Sequence, residues 1–208
     1  MKPYYEHNGI TIYHGDCREI LPTLGPVDLV LTDPPYGINL TRNWQEEKQV
    51  HIVGDDTPFD PSFLMSRNCV IWGGNNFADK LPPGGWICWD KRCSAKADRM
   101  YGAAFELAWC SDRAKFKFYR ILHGGVVNAD GINQPRYHPT QKPVVLMERI
   151  LQDFRPKTVL DPFMGSGTTL VAAKELNRRA IGIEIEERYC EIAAKRLRQE
   201  VLDLGGEA

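Results

Sequence analysis

Short apolar segments recur along the chain, and most of them have glycine or aspartate at or near their carboxyl ends. Because they are apolar for most of their length, they predict strands that helices cover on both faces. These segments lie at 9–16, 27–31, 68–76, 85–91, 104–108, 157–160 and 179–185. In open α/β sheets ligands bind at the carboxyl ends of strands, so the polar segment ends indicate a site.

Helical patterns separate several of these segments. We predict helices at 18–24, 144–154, 168–177 and 186 to about 204, of which the last places Tyr189, Ala193, Leu197 and Val201 on one face. At 208 residues the chain suits one domain better than two. We therefore expect one α/β domain over residues 1–208.

The segment 27–31 leads into Thr32-Asp33-Pro34-Pro35-Tyr36-Gly37. Two prolines fix φ and remove two N–H donors, and the residues before them avoid the helical region. This rigid turn presents a carboxylate, backbone carbonyls and one aromatic ring, which suits a planar group that carries an amine. The alternative is a stiff turn whose aspartate only caps a neighbouring element.

A second strand end, at 157–160, continues as Asp161-Pro162-Phe163-Met164-Gly165-Ser166-Gly167-Thr168-Thr169 before a helix. The glycines allow close backbone approach, and the helix N-terminus attracts an anion. Asp161 could hold an ammonium group, and Glu184, seventeen residues after Gly167, could pair with ribose hydroxyls. The implied ligand carries a carboxylate, an ammonium group and a ribose.

Two further segments bear on function. Residues 38–61 show no sustained period, and we interpret them as a lid in which Trp44 is a candidate stacking residue or, alternatively, as a surface loop. Residues 91–120 hold eight basic residues against three acidic ones, with interleaved aromatics. This pattern favours contact with phosphates over the alternative of a solvated face.

Composition adds several expectations. The net charge of –1 gives no global sign of a nucleic-acid partner, and no apolar run approaches a membrane span. The six cysteines include no C-x-x-C pair and the five histidines are dispersed, so we expect reduced thiols, no metal site and a cytoplasmic protein.

Asp33-Pro34-Pro35-Tyr36, His138-Pro139-Thr140-Gln141-Lys142-Pro143 and the glycine loop, in this order, resemble the β group of DNA amino-methyltransferases. The resemblance implies a Rossmann-like methyltransferase fold, with a mostly parallel seven-stranded sheet, one antiparallel strand and a circularly permuted motif order. It implies transfer of a methyl group from S-adenosyl-L-methionine to adenine N6 in double-stranded DNA, and a possible homodimer.

The resemblance also implies residue roles. Asp33, Pro34, Pro35 and Tyr36 would grip and stack an extruded base. The strands from Val27 and Lys157 would lie side by side. The residues implied to bind the cofactor are Asp16, Cys17, Thr140, Lys142, Asp161, Pro162, Phe163, Gly165, Ser166, Gly167, Thr168 and Glu184. Asp16 could instead simply cap the helix that follows it.

The candidate DNA-binding residues are Trp44, Lys91, Arg92, Lys96, Arg113, Lys115, Lys117 and Arg136. The chain departs from the family in the space for sequence recognition, for which only about 111–137 is available. This departure predicts a short or relaxed recognition sequence, or help from a second subunit. Alternatives to adenine methylation are methylation of cytosine N4, of an RNA or protein amine, and a non-catalytic DNA-binding module.

Overall fold

The computed structural model describes residues 2–39, 41–44, 47–92, 103–124, 127–128, 131–132, 137 and 140–198. Within them the strands are β1 (Tyr5–His7), β2 (Ile10–His14), β3 (Leu29–Thr32), β4 (Thr41–Trp44), β5 (Glu47–His51), β6 (Cys69–Trp72), β7 (Gly85–Asp90), β8 (Phe105–Cys110), β9 (Phe116–Arg120), β10 (His123–Gly124), β11 (Val127–Asn128), β12 (Gly131–Ile132), β13 (Thr158–Asp161) and β14 (Arg179–Glu184). The helices are α1 (Cys17–Ile20), α2 (Val144–Phe154), α3 (Thr168–Glu175) and α4 (Glu187–Arg198).

Nine of the described strands form one sheet, in the order β1-β2-β14-β13-β3-β6-β8-β7-β9. All of them run in one direction except β1 and β8, which pair antiparallel with their neighbours. The predicted mostly parallel α/β sheet is confirmed. The predicted count of seven strands is too low for the described sheet, because β1 and β9 extend its two edges.

Neither edge strand was predicted, for different reasons. Strand β1 has only three residues, and the Asn8-Gly9 turn that joins it to β2 has positive φ at both positions, as a tight hairpin requires. Strand β9 carries Phe116 and Phe118 on its exposed side, so its apolar residues do not mark a buried face. Hydrophobic patterning detects burial, and these strands contribute little to the core.

The core lies on both faces of the sheet. Leu29 and Leu31 of β3 pack in the cluster that includes α2, α3 and α4, whereas Val30 between them packs with Ile20 of α1 on the opposite face. Successive strand residues point to opposite faces, so burial on both faces requires a continuous apolar run. This arrangement leaves the strand ends free to carry polar groups.

The helix predictions are largely confirmed. Helix α2 has the predicted bounds, and Pro143 is its N-cap residue. The helix predicted at 18–24 is instead α1 followed by a 3₁₀ turn at Leu21–Thr23, and Pro22 lies in that turn. Val201 and the end predicted for α4 lie outside the described residues. Among the helices described, none has the length and apolar character needed to cross a membrane.

The segment 38–61 contains regular structure, although the sequence predicted none. Strands β4 and β5 pair antiparallel within it as a separate hairpin. Charged and amide residues interrupt both strands, so no apolar alternation reveals them in the sequence.

The prediction of reduced cysteines is confirmed within the described residues. Cys17, Cys69, Cys88, Cys110 and Cys190 are free thiols, and Cys93 lies outside those residues.

Gly182 of β14 provides a test of this packing. An added Cβ would overlap Met164 Sδ of the glycine loop and lie 2.8 Å from Leu170 Cδ2. We expect Gly182→Ala to lower the free energy of unfolding by about 1–3 kcal/mol, as overpacking of a core does. Urea unfolding measures this change.

Gly25→Ala is the matched control, because an added Cβ there meets no atom within 4 Å. We expect it to change the free energy of unfolding by less than about 0.5 kcal/mol, as at other unconstrained surface positions. Equal effects of the two substitutions would contradict the packing argument.

Candidate active site

The site forms where β3 and β13 end side by side, as the resemblance implied. Their parallel pairing aligns Val159 with Leu29 and Leu160 with Val30. One hydrogen bond then joins the two strand ends, because Thr32 Oγ1 donates to Asp161 Oδ1 over 2.8 Å. The Asp33 turn and the glycine loop therefore emerge next to each other, although they are far apart in sequence.

Tyr36 is held from two sides. Its hydroxyl donates to Asp33 Oδ1 over 2.5 Å. Its ring lies against the backbone of Gly73, where any Cβ would overlap the ring, and Gly73 also has φ of +70°. Glycine at position 73 thus makes room for the ring that stands beside the Asp33 carboxylate.

Lys142 contacts the Asp33 turn, a position that the sequence did not indicate. Its Nζ donates to Asp33 Oδ2 over 2.5 Å and lies 3.4 Å from the Tyr36 hydroxyl. The side chain is 6% exposed. Burial alone would lower the pKa of Lys142, but Asp33 and Glu106 outweigh it and raise the pKa well above its usual value. Lys142 is therefore a buried ammonium.

The electrostatics of the turn follow from this burial. Burial raises the pKa of Asp33, and the nearby ammonium of Lys142 opposes the rise. Burial and the charge of Asp33 raise the pKa of Tyr36 well above 10, so its hydroxyl keeps its proton and remains a donor. Asp33 thus combines a fixed orientation with a basicity above that of an exposed aspartate.

Glu106, on β8, is a member of this cluster that the sequence analysis did not assign. Its Oε2 lies 3.2 Å from Lys142 Nζ, and its Oε1 forms an ion pair with Lys91. Burial would raise the pKa of Glu106, but Lys142 and Lys91 lower it to about 2. The available signal was one acid in the otherwise apolar segment 104–108, since a buried carboxylate is rare unless paired.

The glycine loop is shaped by backbone conformation and by Glu184. Gly165 and Gly167 have φ of +50° and +81°, and Gly167 is the N-cap of α3. Gly165 N–H donates to Glu184 Oε2 over 2.9 Å, and Glu186 N–H donates to Glu184 Oε1 over 2.8 Å. Burial raises the pKa of Glu184 to about 7. The residue predicted to bind ribose therefore also holds the loop.

Three of the predicted cofactor residues lie within or behind the loop. Asp161 is 4% exposed and accepts hydrogen bonds from Thr32 and from Phe163 N–H, while burial raises its pKa to about 6. Ser166 and Thr168 are buried, and Arg196 of α4 donates to the Ser166 carbonyl over 2.7 Å. These contacts support the loop from beneath.

Asp16 caps a helix, as one of its two predicted roles requires, and its role in binding a ligand stays a prediction. Its carboxylate accepts a 2.8 Å hydrogen bond from Arg18 N–H and so caps α1. It also lines the cavity described next, beside Cys17. Burial raises the pKa of the Cys17 thiol to about 12, so this cysteine is not a nucleophile at neutral pH.

A cavity of about 480 Å³ joins the two motifs. Many of the candidate functional residues named from the sequence line it: Asp16, Cys17, Asp33, Pro34, Pro35, Tyr36, Lys91, Thr140, Lys142, Pro162, Phe163, Gly165 and Glu184. Asp161, Ser166, Gly167 and Thr168 do not line it. Ile38, Val53 and Ile185 also line it, although each is about half exposed, so the cavity offers apolar surface to a ligand.

The candidate DNA-binding residues are largely engaged within the protein. Lys91 pairs with Glu106, Arg92 with Asp90 and Lys117 with Asp153. Arg113 donates to the Pro83 carbonyl, and Lys115 lies 5.2 Å from the ring centre of Phe154. Lys96, Arg136 and the side chain of Trp44 lie outside the described residues. The basic segment is therefore less available for phosphates than its composition suggests.

Comparisons with known proteins agree with this geometry. Residues 89–195 match the family model described as DNA methylase. The chain is 55% identical to the Type II methyltransferase M2.DpnII of Streptococcus pneumoniae, covering 96% of this chain and 93% of that protein. It is 52% identical to the Type II methyltransferase M2.LlaDCHI of Lactococcus lactis subsp. cremoris, covering 94% and 92%.

Solved structures give a similar result. The crystal structure of the M1.HpyAVI–SAM complex superposes with a TM-score of 0.55 at 27% identity, covering 91% of this chain and 100% of that one. The cytosine-N4-specific PvuII DNA methyltransferase superposes with a TM-score of 0.64 at 17% identity, covering 97% and 90%. The second likeness concerns the fold alone.

The raised pKa values of the loop carboxyls predict a pH dependence of stability. A carboxyl group whose pKa is higher in the folded protein stabilises the fold fully below its unfolded pKa, near 4. That stability is lost as the pH rises through about 6 for Asp161 and about 7 for Glu184. We expect Glu184→Gln to reduce the loss between about pH 4.5 and pH 7, by up to about 1.4 kcal/mol per pH unit.

Urea unfolding across this pH range measures the slope. Glu191→Gln is the control, because Glu191 is an exposed residue of α4 that pairs with Lys195 at the surface. We expect the control to keep the wild-type slope. A Glu184→Gln variant with the same slope as wild type would contradict the assignment of the raised pKa.

Proposed function

Because the chain belongs to the DNA methylase family, we propose that it methylates N6 of adenine at a specific sequence in double-stranded DNA. The observation that best supports this function is the shared cavity. The Asp33–Tyr36 turn lines one part of it, and Phe163 and Gly165 of the glycine loop line another. A group that accepts a methyl and a group that donates one can therefore meet in a single space.

The methyl donor is S-adenosyl-L-methionine, and the residues of the cavity fit it. The half-exposed Ile185 and the ring of Phe163 offer apolar surface to a planar base. Asp16 and Glu184 offer carboxylates to hydroxyl or amino groups, and Gly165 allows close backbone approach. When bound, the donor supplies a methyl group on a positively charged sulfur.

The chain's own residues prepare the amine. A base in duplex DNA must leave the stack before a pocket can reach its exocyclic nitrogen. The Asp33 carboxylate and the Pro34 carbonyl would accept hydrogen bonds from the amino group and so localise its lone pair. The Tyr36 ring, held against Gly73 and by Asp33, would stack against the base.

Asp33 is also suited to take the proton that the nitrogen loses on methylation. Its pKa is raised by burial, and general bases are most effective when their pKa approaches the working pH. Much of the rate gain would come from positioning and from preorganised acceptors for developing positive charge. No covalent intermediate with the protein is required.

The proposal also covers how the protein recognises DNA. We assign it to a single methyltransferase domain in which the hairpin of β4 and β5 serves as the lid and 111–137 reads a short or relaxed sequence. Among the described residues, neither Arg113 nor Lys115 of that segment pairs with an acidic side chain; Arg113 donates to the Pro83 carbonyl, and Lys115 lies by the ring of Phe154. A homodimer, in which a second copy helps to hold the DNA, completes the proposal.

The base specificity can be tested directly. We expect incubation with unmethylated duplex DNA and S-adenosyl-L-methionine carrying a labelled methyl group to yield labelled N6-methyladenine. Enzymatic digestion followed by nucleoside mass analysis measures the product. Labelled N4-methylcytosine would show that cytosine is the target base. The absence of any labelled nucleoside would favour the alternative function, a non-catalytic DNA-binding module.

The role of Asp33 is tested by Asp33→Ala and by Asp33→Asn, which keeps the shape of the side chain. We expect binding of S-adenosyl-L-methionine to survive and methyl transfer to fall by on the order of 10²-fold or more, since an acceptor for the developing charge is lost. Calorimetry measures binding, and single-turnover assays measure transfer. Transfer at near the wild-type rate in both variants would refute the proposed mechanism.

A further inference from the structure

Both oxygens of the Asp33 carboxylate already have donors. Tyr36 donates to Oδ1 and Lys142 to Oδ2, each over 2.5 Å. The Lys142 ammonium stabilises the negative charge of Asp33, and so weakens the carboxylate as an acceptor for an amine and for a proton. A fixed ammonium would also repel the positive charge that develops on a nitrogen during methylation.

Glu106 provides a second place for the same ammonium. Its Oε2 is buried and accepts no hydrogen bond from any described residue, although Lys142 Nζ lies only 3.2 Å away. Its Oε1 is paired with Lys91, whose Nζ lies 5.1 Å from the ring centre of Trp89. Glu106 is thus an anchored, ionised carboxylate whose Oε2 already lies within ion-pair distance of Lys142.

We propose that Glu106 is a positioning residue that takes the Lys142 ammonium from Asp33 when the amine of the base binds. Lys142 Nζ passes towards Glu106 Oε2, and Asp33 Oδ2 becomes available to the amine. This inference rests on the proposed function of Asp33 as the acceptor of that amine. The step moves a side chain only, so no bond forms or breaks and no proton changes its owner.

The surroundings permit this movement. Lys142 Nζ already lies within ion-pair distance of both carboxylates, at 2.5 Å from Asp33 and 3.2 Å from Glu106. A small displacement of Nζ therefore exchanges the closer partner. The ring of Trp72, with its centre 5.5 Å from Nζ, stays within reach of the cation. A buried ammonium with two carboxylate neighbours can leave one of them without losing all compensation for its charge.

Glu106→Gln tests the proposal. We expect kcat to fall by about 10- to 100-fold, as when a catalytic group is misplaced, because Lys142 then stays on Asp33. The KM for S-adenosyl-L-methionine should change by less than about twofold, because the residues proposed to hold the donor, around Glu184 and the glycine loop, stay unchanged. Glu106→Asp, which keeps the charge, should restore part of kcat at the same KM. Equal kcat values for the Gln and Asp variants would overturn the proposal.

Asp28→Asn is the matched control, because it also changes a carboxylate to an amide. Asp28 directly precedes β3 and so lies at the opposite end of that strand from Asp33. Asp28 Oδ2 accepts hydrogen bonds from the N–H groups of Lys157 and Thr158. We expect this variant to melt at a lower temperature and to keep the wild-type kcat well below its melting temperature. A kcat loss equal to that of Glu106→Gln would mean that the loss reports stability, and would overturn the proposal.

A double-mutant cycle with Lys142→Met separates positioning from a general structural effect. If Glu106 acts through Lys142, Glu106→Gln should cause no further loss of kcat once Lys142 is absent. Independent, multiplying losses would overturn the inference. Wild-type protein that transfers no methyl group to DNA would overturn the proposed function and this inference together, whereas active wild type with a fully active Glu106→Gln variant would overturn the inference alone.

Discussion

The parallel pairing of β3 with β13 is the constraint on which the candidate site depends. It places the residues after two strands at one edge of the sheet, and the hydrogen bond from Thr32 to Asp161 aligns those ends. Because both strands are buried on both faces, the register cannot slip by one residue without turning Thr32 and Asp161 away from each other. The rigid turn and the glycine loop therefore share one cavity.

Around that edge the protein concentrates charge in its interior. A buried ammonium lies between two carboxylates, and a second lysine completes the row of Asp33, Lys142, Glu106 and Lys91. Such a row is costly to build, because each charge must leave water and be compensated by its neighbours. Its value is orientation: the Asp33 carboxylate and the Tyr36 ring are held in place before a ligand arrives, and Glu106 offers the ammonium a second partner.

The glycine loop is organised by a different principle. Its positive φ angles place backbone N–H groups where Glu184 can accept from them, and Arg196 holds the Ser166 carbonyl from below. Asp161 and Glu184 are thereby partly committed to the loop itself, and burial raises the pKa of both. These acids act on a ligand through the shape of the loop as well as through direct contact.

Local sequence patterns were sufficient to predict the apolar strands, the bounds of α2, the rigid turn after β3 and the glycine loop before α3. Each of these depends on residues close together in the chain, through periodicity, proline geometry or glycine conformation. The amino-acid sequence could not reveal the hairpin of β4 and β5 or the exposed strand β9, because neither shows the apolar alternation by which a buried face is predicted. The cluster of Asp33, Lys142, Glu106 and Lys91 became apparent only from the three-dimensional arrangement. Those partners come from strands and segments far apart in sequence, and pairing between buried charges depends on distance in space.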